Sequence, residues 1–174
     1  MHNLKEILNK IPATSIAVVG DICLDAYYFL TDEKSEVSLE SGLKTNSVLT
    51  FKHEAGGAGN VAINLKKLGV TRVDIYGIVG SDVFGQIIRE ILTSSGVNCN
   101  KIQIQDANWS THVFHKIYEN GHEKPRYDIG NFNSADDMLV QSLLTDLKSG
   151  LPLYDAVIIN EQVIYGCHTE RFQK

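Results

Sequence analysis

Two carboxylates, Asp21 and Asp25, follow the first apolar run of this 174-residue sequence, and Gly56-Gly57-Ala58-Gly59-Asn60 opens a helical pattern. Gly77 to Gly85 follows a second apolar run, and Asn160-Glu161 closes the last one. In open parallel sheets, ligands collect beyond the carboxyl ends of the strands, so these four groups are the candidates for a binding site. Polar side chains gathered there suit a polyhydroxylated molecule. Gly56 and Gly57 remove side chains where a backbone must bend sharply or lie against a ligand, and the free amides of the next helical turn face the same point. A plain tight turn is the other reading of this pair. Phosphate cradling is disfavoured, because the run lacks the Gly-Lys-Ser/Thr ending of a Walker loop and does not directly follow the first apolar run, as a dinucleotide fingerprint does.

Other reactive residue types carry less. Cys23, Cys99 and Cys167 are far apart and form no Cys-x-x-Cys pair, so their spacing suggests neither a disulfide framework nor a zinc site, and buried reduced thiols are expected. His112 and His115 have the spacing of helical metal ligands but sit in a strand-like run, where residues three apart point to opposite faces. No metal site is expected there.

The elements that must position these groups alternate in period. Residues 15–20 form a continuous apolar run, as expected for a parallel strand covered on both faces. Residues 58–68 place Val61, Leu65 and Leu68 on one helical face, with Gly69 as a stop. A second buried strand is predicted over 72–79, and a helix capped by Ser81-Asp82 carries Phe84, Ile87, Ile88, Ile91 and Leu92 on its stripe to about Thr93. Asp82 reads as a helix cap. A strand follows at 101–105, then a helix over 136–148 with Leu139, Leu143, Leu144 and Leu147 inward, and a buried strand over 155–159. This strand–helix rhythm predicts an α/β protein with right-handed crossovers and a mostly parallel sheet flanked by helices. Two stretches break it: 27–54 and 111–129 alternate with period two, the second around the tight-turn pair Asn120-Gly121, and predict half-exposed strands outside the main sheet.

Hydrophobic residues make up 43% and charged residues 21% of the sequence, values of an ordinary folded protein. The formal net charge of −5, with dispersed acidic residues, leaves no basic face for a nucleic acid. Residues 1–12 mix Lys5, Glu6 and Lys10 with apolar positions and predict an amphipathic helix, not a secretory leader. No apolar run approaches the ~20 residues that cross a bilayer, so no membrane partner is expected and a cytoplasmic location is.

Three motifs now stand in register: Gly20-Asp21-Ile22-Cys23-Leu24-Asp25; then Gly56-Gly57-Ala58-Gly59-Asn60-Val61-Ala62-Ile63-Asn64-Leu65, closing at Leu68-Gly69; then Gly77-Ile78-Val79-Gly80-Ser81-Asp82-Val83-Phe84-Gly85. In order and spacing they resemble the opening of ribokinase (PfkB) family carbohydrate kinases, most closely those that phosphorylate heptose 7-phosphate in ADP-heptose synthesis. The resemblance covers about 15–161. Where those heptose kinases carry a proline-containing lid segment, this sequence reads Val37-Ser38-Leu39-Glu40-Ser41-Gly42.

The resemblance implies a ribokinase-like fold in which 1–174 is the N-terminal part of the kinase domain, 27–54 and 111–129 form a small β lid, and the C-terminal part of the fold is absent. It implies that Asp25 accepts hydrogen bonds from sugar hydroxyls, that Gly56 and Gly57 let the sugar lie against the main chain, and that Asn60 serves vicinal hydroxyls. The residue-level alternatives are the end of a turn for Asp25 and a helix cap for Asn60. Glu161 resembles the family's acidic residue near the sugar, or is a solvated loop carboxylate. Arg126 could meet a substrate phosphate or be a surface arginine. ATP and Mg2+ are implied for the full-length enzyme, and a homodimer through the lid by analogy. Phosphoryl transfer also needs a group that orients the attacking hydroxyl, in this family an aspartate within Asp-Thr-x-Gly-Ala-Gly-Asp. No such segment lies between Met1 and Lys174, so no catalytic residue is assigned and the isolated chain is expected to be inactive. The alternative is a non-catalytic binding or interaction module of degenerate kinase fold.

Overall fold

The computed structural model describes residues 4–168. Its elements run α1 (Leu4–Lys10), β1 (Ser15–Gly20), β2 (Ile22–Thr31), β3 (Ser47–Gly56), α2 (Gly57–Lys67), β4 (Arg72–Gly80), α3 (Val83–Ser94), β5 (Asn98–Gln105), β6 (His112–Glu119), β7 (His122–Glu123), β8 (Tyr127–Ile129), α4 (Asp137–Gly150) and β9 (Ala156–Asn160). Two sheets result. One is wholly parallel, in the order β5-β4-β1-β9. The other is mixed, in the order β3-β2-β6-β7 with β8 also on β6; β2 and β6 pair in parallel and the remaining pairs are antiparallel.

The continuous apolar character of β1 has the expected cause, since the strand is covered on both faces. Val18 packs in the cluster with Ala62 and Ile63 of α2 and Ile88 and Leu92 of α3. Ala17 and Val19 join Tyr76, Ile78 and the α4 residues Val140 and Leu143 on the other side. Helix α3 starts where its cap was expected: Asp82 accepts from the Gly85 N–H at 2.8 Å. Its second oxygen accepts from the Thr111 N–H at 2.8 Å, which ties the start of α3 to the entry of β6. Asp136 caps α4 through the Met138 and Leu139 N–H groups. The α4 stripe differs by one position from the predicted leucines: Val140 and Leu143 are buried, whereas Leu144 and Leu147 are half-buried. Asn120 and Gly121 turn β6 into β7 with φ of 51° and 77°, the paired positive values of a tight hairpin turn.

Three expectations are corrected. Strand β2 begins directly after Asp21, so Asp25 lies inside a strand and does not end a turn. The predicted strand at the chain's last apolar run exists, but Val157 is 37% and Ile159 63% exposed, because β9 is an edge paired only with β1 and no described helix covers these side chains. Helix α1 forms as expected, with Leu4 and Leu8 68% and 52% exposed. Within 27–54 the strands occupy only the two ends, β2 and β3, and the 32–46 connection between them has a single isolated bridge, Val37 to Lys44.

Candidate functional site

The carboxyl end of β1 is where the two sheets meet. Asp21, 3% exposed, accepts three main-chain N–H bonds there, from Gln162 (2.8 Å), Val163 (3.0 Å) and Cys167 (3.1 Å). Its carboxylate pins the loop after β9 against the end of β1. Its carbonyl in turn accepts the Ala58 N–H at 2.9 Å and so fixes the first turn of α2 to the same point. Gly57 enters that turn with φ of +54°, and a Cβ there would stand 2.2 Å from the Asp21 carbonyl oxygen, so only glycine fits.

Asp25 faces a cavity of about 620 Å³ bordered by the loop after β9, by β6, and by Arg126, Asn131 and Phe132 on either side of β8. Parallel pairing sets Asp25 beside Phe114 and Tyr27 beside Lys116. The Lys116 ammonium stands 3.1 Å from the Asp25 carboxylate, with both side chains about four-fifths buried at 20% and 19% exposure. Burial works against the lysine charge, but hydrogen bonds to Asp25 and Tyr27 outweigh it and hold its pKa above the ordinary value. Arg126 grips Asp128 through two bonds of 2.6 and 2.7 Å, and its guanidinium lies 4.3 Å from the Phe114 ring centre. The cavity therefore offers one carboxylate, two cations and an aromatic wall that continues outward as the Phe29–Tyr118–Tyr27 stack.

Of the residues singled out in the sequence, Asp25, Gly56 and Gly57 come together. A Cβ built on Gly56 would lie 3.4 Å from the Asp25 carboxylate, and one on Gly57 would lie 3.3 Å from the Gln162 side-chain oxygen. Gln162 lines the cavity, whereas Gly56 and Gly57 lie behind its lining. Asn60 and Glu161 are exposed and do not line it; the Asn60 oxygen accepts from Asn64 at 3.3 Å. Arg126 lines the cavity as the phosphate reading requires, although its fork is occupied by Asp128.

Sequence reasoning missed Lys116, Phe114 and His112. Their period-two spacing put them on one face of a strand, but nothing in the sequence said that this face would lie beside Asp25. His112 is 2% exposed; its Nε2 is 3.2 Å from both the Tyr165 carbonyl and Asn133 Nδ2, and burial pulls its pKa below the ordinary value. His115 points to the opposite face, stacked on Tyr28 and edge-on to Phe84. Burial, with Asp21 and Asp25 nearby, pushes the Cys23 thiol up to about 12, which leaves it protonated and unsuited to nucleophilic work. A second hollow of about 650 Å³ lies on the other face of the mixed sheet, lined largely by apolar groups such as Tyr28, Val48, Ile117 and Ile129. Its one carboxylate, Glu119, is paired with Lys124 at 2.7 Å, and the more polar lining makes the Asp25 side the candidate site.

A parallel sheet walled by helices, with a mixed sheet springing from its ligand end, is the ribokinase-like α/β arrangement. A carbohydrate kinase from Agrobacterium tumefaciens superposes with a TM-score of 0.60 at 22% identity, over 84% of this chain and 45% of that one. A ribokinase from Cryptococcus neoformans in complex with ADP gives 0.52 at 20% identity, over 83% and 49%. At these identities the likeness shows the fold. The family model for pfkB family carbohydrate kinases matches residues 13–154, and the chain belongs to that family. Among curated relatives, the bifunctional protein HldE of a Marinomonas species is 31% identical over 154 residues, and that of Vibrio cholerae 28% over 159. These matches take in 87% and 91% of this chain but only 30% and 32% of the relatives' length.

Proposed function

We propose that this chain forms the sugar-binding portion of an ATP-dependent carbohydrate kinase, with Asp25 accepting hydrogen bonds from sugar hydroxyls and Gly56 and Gly57 letting the ring approach the main chain. The observation that carries this reading is that Asp25 and Gln162 line one cavity, and that the glycine pair lies directly behind them, Gly56 against the Asp25 carboxylate and Gly57 against the Gln162 side chain. Lys116 holds that carboxylate in place at 3.1 Å, so an entering hydroxyl meets a preorganised acceptor. Asn60 and Glu161, exposed and outside the cavity lining, are proposed as secondary contacts to the sugar's outer hydroxyls. The two stretches 27–54 and 111–129 act as the lid over the sugar, and their outer face, where Phe51 is 61% and Tyr127 70% exposed, serves homodimer pairing.

Transfer from ATP requires Mg2+, a nucleotide cradle and a base. The base-bearing segment of the family does not occur in these 174 residues, so the chain binds sugar without turning it over. Calorimetric titration with a panel of aldoses, ketoses and their phosphates tests the reading. Asp25→Ala should weaken the sugar that binds by roughly 10- to 100-fold, as expected for hydrogen bonds to a charged acceptor. Unchanged affinity would remove Asp25 from the site, and sugar-dependent ATP hydrolysis by the purified chain would overturn the assignment of chemistry.

A further inference from the structure

We propose that Asp21, Cys167 and His168 form a binding site for a single zinc-class divalent ion that clamps the loop after β9. The three residues bring one carboxylate oxygen, one sulfur and one imidazole nitrogen within 4.8 Å of one another. Asp21 and Cys167 are 146 positions apart in the chain, and the fold alone unites them. Asp21 is 3% and Cys167 2% exposed, so the donors meet in a largely dry pocket.

The donor set is that of a zinc site with one position left open: thiolate, imidazole and carboxylate in place of hard oxygens alone. A tetrahedral ion with bonds of about 2.0–2.3 Å needs donors roughly 3.3–3.8 Å apart, so a small inward shift completes the geometry. Asp21 has room for it. A carboxylate accepts about four bonds; Oδ2 takes the Gln162 and Val163 amides and Oδ1 the Cys167 amide, and the carboxylate also accepts the Cys167 S–H, the bond that an ion would replace. His168 is oriented from outside. Its Nε2 lies 3.3 Å from the Asn160 carbonyl, a contact that orients the ring as a backbone carbonyl does for a metal-bound imidazole.

Without an ion Cys167 is a buried free thiol that carries its proton. Binding replaces that proton with the metal and releases it to solvent, with no change of oxidation state. The loop so clamped carries Gln162 to Tyr165, one wall of the cavity beside Asp25. Occupancy of the site would therefore stiffen that wall.

The test uses the full chain, stripped with a chelator under a phosphine reductant and titrated with Co2+. The expected result is a thiolate-to-cobalt charge-transfer band that saturates at one equivalent, is displaced by Zn2+, and is accompanied by slowed hydrogen exchange over 162–168. Cys167→Ser should abolish the band and Cys99→Ser leave it intact. His168→Gln, at a half-exposed position that tolerates change, should weaken Co2+ by at least about tenfold, the lower end of what losing a supporting group does at metal sites. A wild-type chain without the band, a band that survives Cys167→Ser, or unchanged affinity in His168→Gln would overturn the proposal. Sugar titrations of the metal-free chain decide the Asp25 site separately.

Discussion

Replacing Gly57 with alanine should destabilise the chain by about 2–5 kcal/mol, and the structure says why it should cost more than the same change at Gly69. Both glycines have positive φ, +54° and +96°. The conformational penalty of a left-handed alanine is ~1–2 kcal/mol at either position. At Gly69 the new methyl meets nothing within 4 Å, so that penalty is the whole effect. At Gly57 the methyl would stand 2.2 Å from the Asp21 carbonyl oxygen. That oxygen already accepts the Ala58 N–H at 2.9 Å, so it cannot withdraw without loosening the first turn of α2. Forcing packed main chain apart adds roughly 1–3 kcal/mol. Urea unfolding followed by fluorescence of the single tryptophan, Trp109, which is 7% exposed, gives both midpoints. The slope should not change, and the Gly57→Ala midpoint should fall clearly below that of Gly69→Ala. Equal midpoints for the two variants would refute the close approach of α2 to Asp21, and with it the geometry of the corner proposed for the sugar.

Asp82→Ala removes the α3 cap and leaves the Thr111 N–H without its acceptor, and should lower unfolding free energy by about 1–3 kcal/mol in the same assay. Ile88→Ala, at a fully buried position between α3 and the sheet, should cost about 2–5 kcal/mol. His112 contributes a pH dependence. Its folded-state pKa is depressed by burial below 6.5, so the unfolded chain takes up the proton first and stability falls as pH drops through 6.5 and below. Stability against urea measured from pH 8 down to 5 should show this decline in the wild type and a shallower one in His112→Gln. Lys116 works in the opposite sense: its raised pKa means that its contribution is complete at neutral pH and is lost only as pH climbs past 10.5, a loss that Lys116→Met should not show.

The helices and the parallel sheet were legible because local signals agreed with tertiary need. The cap at Asp82 and the 3.6-residue stripe from Phe84 to Leu92 fixed α3 nearly to the residue. Asn120-Gly121 fixed the hairpin turn because few other pairs hold two positive φ values. Burial of β9 was not legible, since an apolar run reads alike whether or not a neighbour covers it. Asp25 was singled out by its place after the first strand, but the lysine that pairs with it was not. The parallel pairing of β2 with β6 joins residues some ninety positions apart, and no local pattern encodes that register. Lys116 therefore looked like an ordinary exposed strand residue until the pairing put it beside Asp25. Asp21 shows the converse, a carboxylate that spacing offers as a ligand and that the fold spends on three loop amides.

Amide chemical-shift mapping during titration with each sugar that the calorimetric panel identifies is the sharpest test of the central claim. The largest shifts should fall on Asp25, Gly56, Gly57 and Gln162. Shifts confined to Tyr28, Val48 and Ile117 on the far side of the mixed sheet, or a full panel of sugars that leaves the Asp25 corner unmoved, would contradict it.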